Sequence, residues 1–267
     1  MKYDPTRHRL PPFTQNGILL VDKPKGWTSH DVVGFFRKRF NAVKVGHCGT
    51  LDPAATGLLV VVFGKFTKFS QKFSGEDKVY EGTALLGTRT DSQDMDGTVL
   101  STVDTSHLTV DQVREAFLKF QGDIMQTPPM VSAVKHNGER LYDLARKGVE
   151  VQREPKPITI HSITFKKFDL PYVDFEVACS KGTYIRTLCA DVGDVLGCGA
   201  ALYRLNRLRS GDFELKDAVD IETVKTWEQE ELKAAINDFL FNKLAKMPKF
   251  AFRRGAIHFR GTRLCFI

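Results

Sequence analysis

The sequence predicts an α+β fold built on a large, mostly antiparallel sheet. Strand-like and helix-like stretches are mixed along the chain without a regular βαβ beat. Two neighbouring segments, "PITIHSITFKKF" (157–168) and "YVDFEVACS" (172–180), alternate apolar and polar residues as paired strands do. No repeat at solenoid period and no low-complexity stretch points to another architecture.

The elements follow in order. Residues 1–15, "MKYDPTRHRLPPFTQ", form a polar, proline-containing lead-in expected to be poorly ordered. "GILLVDKP" (17–24) is a strand ended by Pro24, and Thr28 or Ser29 caps a helix over "HDVVGFFRKRF" (30–40). The apolar run 58–63 is a strand, too short for an isolated helix. "KVYEGTALLG" (78–87) alternates, and "GTVLSTV" (97–103) is expected to pair with it after a polar turn. "TVDQVREAFLKFQG" (109–122) is an amphipathic helix capped by Thr109 and stopped by Gly122. "GERLYDLARKG" (138–148) and "TYIRTLCADVGDVLG" (183–197) complete the helices.

With 267 residues, 42% hydrophobic and 27% charged, the composition is that of a soluble globular chain able to bury a substantial core. No apolar run reaches the length of a membrane span, and the N-terminal stretch lacks the apolar core of a secretory signal. The five cysteines form no CxxC pair, so neither a zinc site nor a disulfide framework is indicated, and a reducing cytoplasmic setting is the default. The net charge of +7 is unevenly placed. Residues 1–72 hold 12 basic and 4 acidic side chains, and the final 29 residues hold 7 basic side chains and no acid. Two separated basic segments fit a nucleic-acid partner.

"VGHCGTLDPAATGLLVVVF" sets a carboxylate, Asp52, directly before a buried strand. Gly, Thr, Asp and Pro are ordinary turn residues, so strand entry alone explains them. The wider pattern says more. "DKPKGWTSHDVV", "VGHCGTLDPAATGLL", "KVYEGTALLGTRTDSQDMDG" and "CSKGTYIRTLCADVG" resemble, in order and spacing, the motifs of the TruB-type pseudouridine synthases. "QTPPMVSAVKHNGERLYDLARKG" is similar to the RNA-gripping insertion of that family.

The resemblance implies a pseudouridine synthase catalytic domain over 16–238, with an insertion at about 124–152 and a central RNA-binding cleft. It implies isomerisation of the T-loop uridine of tRNA, conventionally position 55, with no cofactor or metal, by a monomer without an obligate protein partner. The family usually adds a C-terminal PUA module. Here only the basic tail 239–267 remains, too short for that domain. Cys48 and Ser92 also depart from the family pattern, where Thr is usual.

By the same resemblance Asp52 is the catalytic nucleophile and Arg186 the cation that pairs with it. Burial would raise a carboxylate's pKa, and a permanently charged guanidinium offsets that. Tyr80 matches the tyrosine that stacks on the extruded base and can move a proton. Tyr184 and Leu205 match further walls of the pocket, and His47 a histidine that fills the gap left by flipped bases. Lys23 and Pro24 match a "KP" motif in which the lysine contacts phosphate or shapes the catalytic loop. Asp94 matches a residue that orients the pocket. Two other readings stay open at this stage: an RNA-binding or tRNA-folding protein with secondary catalysis, and a guide-RNA-dependent synthase.

Overall fold

The computed structural model describes residues 10–132, 135–136, 138–246, 250–253, 256–259 and 262–265. The chain forms two compact units, one from residues up to Glu76 together with Leu208 onward, the other from Asp77–Arg207.

The first unit opens with β1 (Gly17–Lys23), followed by α1 (Ser29–Phe40) and a hairpin of β2 (Val45–Cys48) and β3 (Thr56–Phe63). β3 lies antiparallel to β1, with Asp22 opposite Leu58, and to β2, with His47 opposite Val61. α1 starts where Thr28 and Asp31 form a reciprocal capping box, and it ends at Asn41 in the left-handed region, φ 50°. Its apolar stripe, Val32, Val33, Phe36 and Phe40, is buried, with Phe36 set edge-on to Phe63 at 5.3 Å. The lead-in is anchored closer to the N-terminus than its polarity suggested. Phe13 is buried, bridges to Ala42 and packs 6.1 Å from Phe63, because one aromatic ring suffices to fix the entering chain. Residues 1–9 lie outside the described residues. A 3-10 turn, Gly64–Phe69, and α2 (Ser70–Ser74) then bury Phe66, Phe69 and Phe73.

The second unit contains β4 (Lys78–Leu86), β5 (Thr88–Thr90), β6 (Val99–Thr102), α3 (Val110–Leu118) and β7 (Gly122–Gln126). Beyond these lie the short strands β8 (Lys135–His136) and β9 (Glu139–Arg140), α4 (Leu141–Arg146), β10 (Lys156–Asp169), β11 (Tyr172–Cys179), α5 (Ile185–Leu196) and β12 (Ala200–Ser210), whose last three residues are counted with the first unit. β4, β11, β10 and β7 run in that order, antiparallel throughout. Phe117 of α3 packs on Phe165 and Phe175, at 5.6 and 5.2 Å. The expected pairing of 97–103 with 78–87 reduces to one bond, from the Val103 N–H to the Gly87 carbonyl at 2.8 Å: Val99–Thr102 pairs with Thr88–Thr90, and β4 pairs with β11. The chain turns at Gly87, so a separate two-stranded ribbon forms. Ile124–Gln126, counted with the insertion from sequence, belongs to a sheet strand.

Re-entering the first unit, the chain adds β13 (Phe213–Glu214), β14 (Val219–Asp220) parallel to β1, α6 (Ile221–Thr226) and α7 (Gln229–Asp238). Residues 239–246 do not behave as a solvated tail. Phe239, Leu240 and Leu244 are buried in this unit's core, and Lys243 Nζ meets Asp217 Oδ1 at 2.6 Å. Beyond them β15 (Phe250–Arg253), β16 (Ala256–Phe259) and β17 (Thr262–Cys265) form an antiparallel meander. Its register aligns Ala251, His258 and Arg263, and on the alternate rows Phe252, Ile257 and Leu264. Mixed helices and chiefly antiparallel pairing in both units agree with the fold class read from sequence.

Candidate active site

Four of the residues singled out by sequence, Lys23, Pro24, His47 and Asp52, lie in the first unit. Asp52 sits in the connection between β2 and β3, where the Ala55 N–H donates to the Asp52 carbonyl at 3.1 Å. Asp at the first position and Pro53 at the second fit a tight turn. Gly49 and Gly57 flank this loop at φ +86° and +99°, values at which a side chain would be strained. Asp52 itself is partly exposed.

The loop is fastened from beneath. Lys23 is fully buried, and its ammonium donates to the carbonyls of Trp27 (2.6 Å), Pro24 (2.9 Å) and Pro53 (3.3 Å). These bonds tie the residue after Asp52 to the turn that follows β1. The Gly26 N–H adds a bond to the Pro53 carbonyl, 2.8 Å, and the buried Ser29 hydroxyl bridges both backbone groups of Leu51. Neighbouring Asp22 has its carboxyl raised above the usual range, chiefly by burial, against a lowering hydrogen bond from Gly57. His47 stands perpendicular to His30, with ring centres 6.5 Å apart.

Tyr80, Asp94, Tyr184, Arg186 and Leu205 lie in the second unit. Tyr80, on β4, is buried opposite Val177 of β11, and Leu205 is buried on β12. Arg186, in the first turn of α5, is 3% exposed. Its Nη1 donates to the Ser92 carbonyl at 3.0 Å and its Nη2 to the Val131 carbonyl at 2.8 Å. Asp94 Oδ2 lies 3.4 Å from Nη1, so the sequence-selected Asp94 and Arg186 meet as a buried ion pair. The Ser92 hydroxyl donates to the Asp94 carboxylate, which gives this departure from the usual pattern a direct place in the cluster.

Two supports were not legible beforehand. Gln126, 2% exposed, holds the backbone of Tyr184 at both ends: Oε1 accepts from its N–H at 2.8 Å and Nε2 donates to its carbonyl at 3.0 Å. That clamp sets the entry into α5 two residues before Arg186. Gln93, at φ 66°, accepts from the Thr187 hydroxyl at 2.8 Å and locks the 90–96 loop onto the same helix. α5 in turn lies close on the start of β12: a Cβ at Gly193 would fall 2.1 Å from the Ala200 nitrogen. Among the described residues no group of three His, Cys, Asp or Glu side chains is placed to hold a metal. No described helix is long and apolar enough to cross a membrane.

Comparison with known proteins gives two adjoining family matches. Residues 37–185 match the TruB family pseudouridylate synthase N-terminal domain, and residues 186–241 the tRNA pseudouridylate synthase B C-terminal domain. The chain is 50% identical over 210 residues to tRNA pseudouridine synthase B of Opitutus terrae, covering 79% of this chain and 87% of that protein. It is 49% identical to the protein of the same name from Syntrophotalea carbinolica, covering 79% and 69%. Among solved structures, a Cbf5–Nop10–Gar1 complex matches with TM-score 0.64 and 26% identity, covering 92% of this chain and 63% of the solved one. An H/ACA RNP bound to a substrate RNA containing 2′-deoxyuridine matches with TM-score 0.59 and 26% identity, covering 78% and 52%. The chain thus spans only about half to two thirds of those solved chains.

Proposed function

The chain belongs to the TruB family of pseudouridylate synthases, and we propose that it isomerises uridine 55, in the T-loop of tRNA, to pseudouridine. One observation carries this reading. The family matches run without a gap from 37 to 241, across the segments that hold Asp52, Tyr80 and Arg186.

The reaction breaks the bond from ribose C1′ to N1 of uracil, turns the base and joins C1′ to C5, after which the C5 proton leaves and N1 carries a proton. Atoms balance without any oxidant or reductant. Asp52 is the nucleophile, and it must be ionised to act. Arg186 is the guanidinium that pairs with Asp52, and the Ser92 and Val131 carbonyls together with the Asp94 carboxylate orient it. Tyr80 stacks on the extruded base and moves the proton. Tyr184 and Leu205 wall the pocket, and His47 fills the gap in the RNA. Lys23 and Pro24 position the Asp52 loop; complete burial of the lysine supports this role over a phosphate contact.

The substrate is tRNA, held by its T-arm, and the enzyme acts as a cytoplasmic monomer. The C-terminal segment 247–267 adds phosphate contacts, supported by its five cations, Lys249, Arg253, Arg254, Arg260 and Arg263, and by the absence of acids there. A guide-RNA-dependent activity is less well supported, since the relatives at about half identity carry the tRNA synthase name. The test is tritium release from an unmodified T-arm hairpin labelled at uridine C5. Release at the target position supports the assignment, and none from a folded, tRNA-binding preparation removes it.

A further inference from the structure

Ser132 is a buried hydroxyl close to Arg186 in the second unit. It is 6% exposed, and among the described residues its Oγ has no hydrogen-bond partner. Its backbone is fully engaged: the N–H donates to the Met130 carbonyl at 3.0 Å, and the carbonyl accepts from the Tyr142 N–H at 3.1 Å. One peptide bond away, the Val131 carbonyl receives the Arg186 guanidinium. A buried polar group without a partner is unfavourable, so natural chains keep one where a ligand or a bound water completes it. The position beside Arg186 favours a ligand.

From this geometry we infer that the Ser132 hydroxyl hydrogen-bonds the uracil of the target nucleotide. The inference rests on the activity proposed above. A hydroxyl suits this chemistry because it donates and accepts. Turning uracil about the line from N3 to C6 exchanges N1 with C5 and O2 with O4, and it leaves N3–H in place. A serine facing one carbonyl position therefore meets a carbonyl both before and after isomerisation, and neither bound state strands it.

The test compares Ser132→Ala with Ser210→Ala. Ser210 is also a buried hydroxyl without a described partner, on β12 away from the proposed catalytic residues in sequence. Both substitutions remove an unsatisfied group, so both should leave the melting temperature unchanged or raised. Only Ser132→Ala should lower kcat/KM, by about tenfold, the weight of one hydrogen bond to a buried partner. In an Asp52→Asn background, which does not convert the substrate, Ser132→Ala should weaken binding of a T-arm hairpin by a similar factor. A hairpin abasic at the target position should bind both forms equally. The inference is overturned if kcat/KM is unchanged, if the abasic hairpin shows the same loss, or if Ser132→Ala lowers the melting temperature by several degrees with kinetics unaltered. A wild-type enzyme inactive on the uridine hairpin would instead overturn the assigned activity.

Discussion

Replacing Gln126 with Leu removes both bonds that hold Tyr184 while keeping a similar volume in a buried site. The Tyr184 carbonyl retains a second partner, the Leu188 N–H at 3.1 Å, but its N–H loses the acceptor that Gln126 provides. Two lost bonds at about 1 kcal/mol each, with a desolvated donor added, give a destabilisation of about 2–4 kcal/mol. For a chain of this size that is a fall of about 5–15 °C in melting temperature. Gln126→Glu sharpens the test. Its ionised form can accept from the Tyr184 N–H, but it places negative charge against the Tyr184 carbonyl. The folded state then favours the protonated acid, so its pKa rises above the unfolded value. Stability is full below the unfolded pKa and lost as pH rises through the folded one. Calorimetry of both variants between pH 4 and 8 reads the effect. A Gln126→Leu protein melting within 1 °C of the parent, or a Gln126→Glu protein more stable at pH 8 than at pH 4, would refute the clamp.

Tyr80→Phe keeps the ring and should bind RNA almost normally while turning over more slowly, and equal single-turnover rates would confine Tyr80 to stacking. Burial, then the charge of Asp194, push the Asp191 carboxyl up to about 6. Its raised folded pKa makes stability fall as pH rises from about 4 to 6. Asp191→Asn should therefore raise the melting temperature at pH 7.5 and not at pH 3.5, and a gain of equal size at both would contradict this. Removing residues 247–267 takes away Lys249, Arg253, Arg254, Arg260 and Arg263. If three of them meet phosphate, the slope of log K against log salt should drop by about 2–3 with turnover at saturating tRNA unchanged; an unchanged slope would mean that the meander does not hold RNA.

How much of this was legible in the sequence follows from where periodicity survives. β10 and β11 declared themselves because each has one apolar row at period two. Thr28 and Thr109 announced α1 and α3 through capping chemistry that needs no tertiary partner. β12 was missed. Its leucines, Leu202, Leu205 and Leu208, recur every third residue, and its interior row includes the buried Arg207, so neither the period nor the polarity looks like a strand. α6 and α7 were unassigned for a similar reason, since the mostly polar segments there bury only Ile221, Val224, Leu232 and Ile236. At the site, motif spacing marked Asp94 and Arg186, and the fold brings them together. Gln126 carried no such mark. A buried amide that serves another residue's backbone leaves no trace until the two segments, 58 residues apart, are seen side by side.

The central claim is that one carboxylate, Asp52, performs the isomerisation. Asp52→Asn replaces it with an amide of the same shape that cannot act as the nucleophile. Single-turnover tritium release from a C5-labelled T-arm hairpin, measured with matched hairpin affinity and melting temperature, reads the claim directly. The account predicts no detectable release from a folded protein that still binds the hairpin. Release within tenfold of the parent would contradict it.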